Sequence, residues 1–159
     1  MAAQVVGTKK PIGFHDSDHF PMQSAYKFPI AMAVLNAVDR SQLAPRGMVQ
    51  LLKTFQEGRG LSRTSQALLF QLMTQTPTGP QRLKGLLPAG ALVAHKTGTS
   101  STKNGMTAAT NDVGIISESG RPTLLIAVFV SDSPAETTVR EGVIAKIASQ
   151  LWRQQTQRR

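Results

Sequence analysis

The chain contains no cysteine, which excludes disulfide bonds and thiolate metal ligands. Its three histidines, His15, His19 and His95, are too scattered to form a metal site, so we expect neither a metal nor another cofactor. Aromatic residues are also scarce, at six Phe, one Tyr and one Trp. Because nucleic-acid bases stack on aromatic rings, this scarcity argues against specific nucleic-acid binding.

Long hydrophobic runs are absent as well, and no apolar stretch reaches the roughly 20 residues that a membrane span needs. The opening segment, residues 1–6, lacks the basic start and apolar core of a signal peptide. We therefore expect no membrane association, and a cytoplasmic location if this is the full product. The 159 residues, of which 40% are hydrophobic, suffice for a single folded domain with its own core.

Acidic residues are few, at nine against eighteen basic ones, which gives a net charge of +9. The excess lies in residues 40–103, where nine basic side chains accompany one acid, Glu57, for a net charge of +8. This asymmetry raises the hypothesis of an anionic or nucleic-acid partner. The alternative is that these side chains face water, or an acidic segment that this chain lacks.

The order of the predicted elements indicates an α+β fold. Runs rich in β-branched residues predict strands at 2–6, 12–15, 91–97, 107–116 and 123–130, and helices are predicted at 24–38, at 48–55, from residue 61, and at the C-terminus. Short turns join the last three strands, so we predict an antiparallel sheet of about five strands flanked by helices. On the last helix Val139, Val143, Ile147 and Leu151, with Ile144 beside them, predict one apolar face that serves packing.

Ser24 and Lys27 stand directly ahead of an apolar run from Phe28 to Leu35. If a helix begins near Ser24, the hydroxyl and the amine share one face because they are three residues apart. Serine needs a neighbouring base to act as a nucleophile, and a lysine held neutral can supply one. The simpler interpretation makes Ser24 a helix cap and Lys27 a solvated residue of the first turn.

A second candidate motif, Lys96-Thr97-Gly98, closes a predicted strand. A cation and a hydroxyl at that place can bind a carboxylate. Gly98 lets a ligand approach the backbone closely, and the following N–H, that of Thr99, can point at a carbonyl oxygen. Taken alone the motif is common, and an ordinary surface strand end explains it equally well.

Together and in this order, Ser24-Ala-Tyr-Lys27 and Lys96-Thr-Gly98 resemble the active-site motifs of class A serine β-lactamases and penicillin-binding proteins. Further similar segments are Phe20-Pro-Met-Gln-Ser24, Thr78-Gly-Pro-Gln-Arg-Leu83, Leu87-Pro-Ala-Gly90, Val93-Ala-His-Lys-Thr-Gly98, Ala108-Ala-Thr-Asn-Asp112 and Ile126-Ala-Val-Phe-Val130. The similarity runs from the first hairpin to the last helix.

The resemblance implies a role for each motif residue. Ser24 is expected to be the acylated nucleophile and Lys27 its base, and the N–H groups of Ser24 and Thr99 are expected to form the oxyanion hole. Lys96, Thr97 and Thr99 are expected to bind the β-lactam carboxylate, with Gly98 between them. The implied partners are small β-lactams, and the implied location is periplasmic or secreted.

The chain also departs from the family pattern. It contains no Ser-Asp-Asn motif, and the glutamate that activates the deacylating water has no counterpart. The segment 39–47 stands where that long stretch is expected. Thr110 stands where many members place an arginine that helps to bind the carboxylate. We therefore expect one β-lactamase-like α/β domain over 1–159, with a truncated helical part at about 24–86.

Three functions remain open at this point. The first is a β-lactam hydrolase that acylates Ser24 with impaired hydrolysis, and the second a penicillin-binding module that stalls, or an inactive deletion product. The third, from another class, is a basic protein that binds anions or nucleic acid. Because the apolar helix at 24–38 lacks its usual cover, we also expect a homodimer or a swapped assembly.

Overall fold

The computed structural model describes residues 2–3, 12–13 and 45–154. The predicted helix at 24–38, with Ser24 and Lys27, lies outside these residues. The chain divides into two compact units, Met1–Gln42 and Leu43–Arg159. In the first, β1 (Ala2–Ala3) pairs antiparallel with β2 (Ile12–Gly13). Both lie within the strands that the sequence predicts.

Within residues 45–154 the second unit contains a sheet and three helices. In chain order these are α1 (Pro45–Gln56), α2 (Arg63–Gln75), β3 (Leu92–Thr99), β4 (Thr102–Lys103), β5 (Met106–Ser117), β6 (Leu124–Ser133) and α3 (Thr137–Gln154). None of the helices in the described ranges is long and apolar enough to cross a membrane.

The four strands of this unit form one antiparallel sheet with β5 in the middle. Strands β3 and β4 pair with β5, and β6 pairs with β5 in a separate ladder. This arrangement confirms the prediction of an antiparallel sheet flanked by helices. That the β1–β2 pair adds to the same sheet stays a prediction.

The main core lies between the sheet and α3. Its buried side chains come from the turn before β3, from the three long strands and from α3: Leu83, Val93, Ile116, Ile126, Val128, Ile144, Ala148 and Trp152. On the opposite face, α2 packs against β3, and α1 packs against β5 and β6. There α1, α2, Lys96 and Val113 line an open apolar hollow of about 510 Å³.

Helix α1 begins at Pro45, three residues before the predicted start at Met48. The sequence-based prediction placed residues 39–47 in a connection because the segment is polar and contains Pro45. Proline suits the first helical position, however, because the N–H that it lacks would have no helical partner there. Helix α2 begins at Arg63, two residues after the predicted start, with the Ser62 side chain accepting a hydrogen bond from the Ser65 N–H at 3.2 Å.

The prediction for the last helix was right about Ile144, which is buried, but wrong about the four apolar residues beside it. Val139, Val143, Ile147 and Leu151 are 38–56% exposed. The buried face instead carries Arg140, Ile144, Ala145, Ala148, Ser149 and Trp152. Arg140 can share this face with Ile144 and Trp152 because its Nε donates to the buried Thr110 hydroxyl, so apolar periodicity alone pointed to the wrong side.

Candidate functional site

The Lys96–Thr99 motif lies inside a strand, since β3 continues through Thr99 rather than ending at the predicted Thr97. Ser100 N–H donates to the Ala109 carbonyl at 3.0 Å across the ladder. Because neighbouring residues of an antiparallel strand point their backbone groups in opposite directions, the Thr99 N–H points away from β5. Among the described strands none pairs with that outer edge of β3. The Thr99 N–H is therefore directed at an open edge.

Lys96 reaches the same open edge by folding back along the strand. Its exposed ammonium Nζ donates to the Thr97 carbonyl oxygen at 2.6 Å, and this carbonyl points to the open edge by the same alternation. The side chains of Thr97 and Thr99 lie on the other face of the sheet, the face that α3 covers. The cation and the two hydroxyls are thus separated by the plane of the sheet and approach each other only along the edge.

Both hydroxyls already have protein partners. Thr97 Oγ1 shares a 2.8 Å hydrogen bond with Thr78 Oγ1, and Thr99 Oγ1 accepts one from Arg82 Nη2 at 2.7 Å. Since Arg82 can only donate, the Thr99 hydroxyl keeps its own proton for a ligand. Thr99 is exposed, so a carboxylate at the edge can accept that proton.

Arg82 is a residue in contact with this edge that the sequence-based reasoning missed. Its side chain is 7% exposed and forms an ion pair with Glu141 of α3 at 3.0 Å. Its Nη1 donates to the carbonyls of Asn111 at 2.9 Å and of Gly98 at 3.3 Å. Arg82 lies in a segment that carried the family resemblance, but nothing in its local pattern assigns it a role, because its partners lie 16 to 59 residues further on.

A buried pair lies directly below the motif. His95 Nδ1 is 2.9 Å from both carboxylate oxygens of Asp112, and both side chains are 0% exposed. Asp112 Oδ2 also accepts the Leu83 N–H at 3.2 Å. Within the described residues His95 Nε2 has no hydrogen-bond partner. Because an ionised carboxylate only accepts hydrogen bonds, Nδ1 of His95 is the donor in this pair.

Two glycines shape the edge differently. A Cβ added at Gly98 would meet only Asn111 Cβ, at 3.8 Å, so the fold itself does not require glycine there. At Gly79, which has φ +60°, an added Cβ would lie 2.6 Å from Thr97 Cγ2. Gly79 therefore lets the turn before β3 pack against Thr97.

The structure also places Thr110 and Glu57, two residues at which the sequence was compared with the family pattern. Thr110 is fully buried, and its hydroxyl accepts a hydrogen bond from Arg140 Nε at 2.9 Å, so it faces the interior rather than the edge. Glu57 lies in the turn after α1, where it pairs with Arg59 and, at 3.8 Å, with Lys53. Its carboxylate is thus occupied by two exposed cations.

The other half of the predicted site, Ser24 and Lys27, lies outside the described residues. The structure thus gives the geometry of Lys96, Thr97, Gly98 and Thr99. The roles of Ser24 as nucleophile, of Lys27 as base, and of the Ser24 and Thr99 N–H groups as oxyanion hole stay predictions.

The described residues form an antiparallel sheet between helices, with a Lys-Thr-Gly strand at one edge. Comparison with known proteins identifies the class of protein that has this arrangement. A profile of the beta-lactamase enzyme family matches residues 39–155. The extended-spectrum beta-lactamase PER-1 of Pseudomonas aeruginosa is 58% identical over 104 residues, which are 65% of this chain and 33% of that protein. Beta-lactamase VEB-1 of the same organism is 45% identical over 92 residues, 58% of this chain and 31% of that protein.

Solved structures agree with these matches. The crystal structure of the TLA-3 extended-spectrum beta-lactamase superposes with a TM-score of 0.68 at 50% identity, over 70% of this chain and 41% of that one. A beta-lactamase from Chitinophaga pinensis gives a TM-score of 0.67 at 50% identity, with the same coverage of 70% and 41%.

The chain therefore belongs to the beta-lactamase enzyme family, which confirms the resemblance drawn from the motifs. It spans about a third of the length of the curated relatives, at 33% and 31%.

Proposed function

We propose that the chain is a serine acyl-enzyme that reacts with β-lactams. Ser24 is the nucleophile, Lys27 its base, and the N–H groups of Ser24 and Thr99 hold the oxyanion. The observation that carries the proposal is the Thr99 N–H at the open edge of β3, beside Lys96, in a chain that belongs to the beta-lactamase family. β-Lactamase relatives also support a periplasmic or secreted location.

In the acylation step Ser24 Oγ attacks the β-lactam carbonyl carbon while Lys27 takes the hydroxyl proton. The negative charge that develops on the carbonyl oxygen is stabilised by the two N–H groups, of which the Thr99 N–H already points to the open edge of β3 and needs no reorganisation. The ring C–N bond then breaks, and the ring nitrogen takes the proton from Lys27. The product is an ester on Ser24 that retains all atoms of the β-lactam.

The substrate carboxylate binds at the same edge. The Thr99 hydroxyl donates the proton that Arg82 leaves free, and the Lys96 ammonium supplies the charge from the other side of the strand. Thr97 completes the contact while it shares its hydrogen bond with Thr78. Hydrogen bonds to a charged group are about twice as strong as neutral ones, so these contacts select an anionic substrate.

Hydrolysis of the ester is the weaker half-reaction. It requires a water and a base, and Glu57, the one acid in residues 40–103, pairs with Arg59 and Lys53. We therefore expect a long-lived acyl-enzyme with slow turnover. A penicillin-binding module that stalls after acylation would give the same adduct, and only the rate of its decay separates the two.

Intact-protein mass spectrometry after incubation with a penicillin tests the proposal. We expect an added mass equal to the whole penicillin, absent in Ser24→Ala. Ser100→Ala is the matched control, because Ser100 and Lys103 repeat the same spacing but the Ser100 hydroxyl accepts the Ala109 N–H at 3.0 Å. An adduct that survives in Ser24→Ala contradicts the assignment. No adduct in folded protein leaves the inactive or anion-binding alternatives.

A further inference from the structure

The buried pair of His95 and Asp112 is built into the sheet with little freedom. His95 lies opposite Gly114 in the β3–β5 register. A Cβ at Gly114 would lie 2.9 Å from His95 Cβ and 2.7 Å from the Ala94 carbonyl oxygen. Any larger residue at position 114 would therefore collide with β3 at His95, the residue that carries the imidazole.

Asp112 connects this pair to the turn before β3. Its Oδ2 accepts the backbone N–H of Leu83, and the preceding residue is Arg82. Within the turn itself the backbone is held by short-range bonds, such as the one that the Arg82 N–H donates to the Gly79 carbonyl three residues earlier, at 3.0 Å. The Asp112 carboxylate adds a bond from that turn to the central strand of the sheet. This bond fixes the position of the Arg82 backbone.

Arg82 transmits this position to the substrate edge. Its guanidinium spans the Asn111 and Gly98 carbonyls and ends on the Thr99 hydroxyl. A planar fork with several fixed donors orients its acceptors more strictly than a single donor does. The direction of the remaining Thr99 hydroxyl proton thus depends on where the turn places Arg82.

We propose that His95 and Asp112 are positioning residues, which hold Arg82 so that the Thr99 hydroxyl points at the substrate carboxylate. This inference rests on the proposed function. Neither residue touches the substrate, since both are fully buried. The Thr99 N–H is held separately by the ladder bond of Ser100, so the pair affects carboxylate binding and not the oxyanion hole.

Two substitutions of His95 separate the hydrogen bond from the burial. The amide nitrogen of Asn can take the place of Nδ1, whereas that of Gln takes the place of Nε2. His95→Asn therefore keeps the donor to Asp112, and His95→Gln loses it. In His95→Gln we expect the binding constant of a penicillin for acylation to weaken by about 10- to 100-fold, the loss of one hydrogen bond to a charged group. The limiting acylation rate should stay unchanged, and His95→Asn should remain close to wild type.

A penicillin methyl ester provides the internal control for the substrate. It lacks the carboxylate charge, so its acylation should be the same in wild type and His95→Gln. Ile116→Val is the control for stability. Ile116 is a buried residue of β5, the strand that also carries Asp112, and it lies opposite Val93, away from the motif. It should lower the melting temperature and leave both substrates unaffected.

NMR of Arg82 Nε–H and of the Thr99 methyl group tests the positioning without any substrate. We expect both signals to shift, and the Arg82 Nε–H to exchange faster, in His95→Gln but not in His95→Asn or Ile116→Val. Unchanged signals in folded His95→Gln overturn the inference even if acylation works. Shifted signals with equal loss for acid and ester also overturn it. Shifted signals in a protein that forms no adduct would instead refute the proposed function alone.

Discussion

The Thr99 hydroxyl accepts a 2.7 Å hydrogen bond from the guanidinium of Arg82, a residue of the turn that precedes β3. The same guanidinium pairs with Glu141 of α3. One buried side chain thus joins the open edge of the sheet to α3, the helix that covers the face on which the Thr99 side chain lies. A change at Arg82 should therefore affect both the stability of the fold and the geometry of the edge.

Removal of the Arg82 charge should be costly. In Arg82→Met the Glu141 carboxylate, which is 16% exposed, loses its partner, and we expect the free energy of unfolding to fall by about 3 kcal/mol or more. Adding Glu141→Gln should recover part of the loss, since no unpaired charge then remains. Urea denaturation measures both, with Lys53→Met as control because its ion pair is exposed. Equal effects of Arg82→Met and Lys53→Met would contradict this prediction.

Gly79 and Gly105 offer a matched pair, since both have positive φ, +60° and +74°. A Cβ at Gly105 meets nothing within 4 Å, whereas one at Gly79 meets Thr97 Cγ2. Gly105→Ala should cost about 1 kcal/mol of stability, for backbone strain alone. Gly79→Ala should cost more and should also weaken penicillin binding through Thr97. Thermal unfolding and acylation kinetics check this, and equal stability losses would show that the turn yields without strain.

The sequence predicted the sheet of the second unit well because its strands are long and β-branched. Predictions for 91–97, 107–116 and 123–130 lie within or overlap β3, β5 and β6. The predicted ends of the strands were less accurate. Strand β3 continues through Gly98 to Thr99, although glycine is unfavourable inside strands. Pairing with Thr110 on the neighbouring strand, a contact between distant residues, decides that end.

The motif residues could be found from the sequence, but their supports could not. Lys96 and Thr97 form a local pattern that family resemblance detects. Arg82, His95 and Asp112 act through contacts that span 16 to 59 residues along the chain, and no local periodicity encodes those. The prediction for the apolar row of α3 was wrong for the same reason, since the buried Arg140 donates to Thr110, a residue 30 positions away.

The exposed apolar row on α3, formed by Val139, Val143, Ile147 and Leu151, should promote self-association. Val143→Lys should lower the apparent mass at high concentration in light scattering, with less than about 0.5 kcal/mol change in stability. Gln150→Lys adds the same charge to the exposed side of α3 without removing an apolar group, and it should leave association unchanged. If both variants dissociate equally, charge and not the apolar row controls the assembly.

Glu57 provides the sharpest test of why hydrolysis should be slow. Its carboxylate pairs with Arg59 and Lys53 at the end of α1, so it should not activate a water at an ester on Ser24. In Glu57→Gln we therefore expect the adduct to decay at the wild-type rate, followed by mass spectrometry after free penicillin is removed. Because the pair is exposed, the stability should change by at most about 1 kcal/mol. Glu118→Gln, which removes an acid paired with Arg121 at 3.1 Å, controls for the change in net charge. If the adduct instead persists much longer in Glu57→Gln than in Glu118→Gln, then Glu57 leaves its cations in the acyl-enzyme and acts as the base.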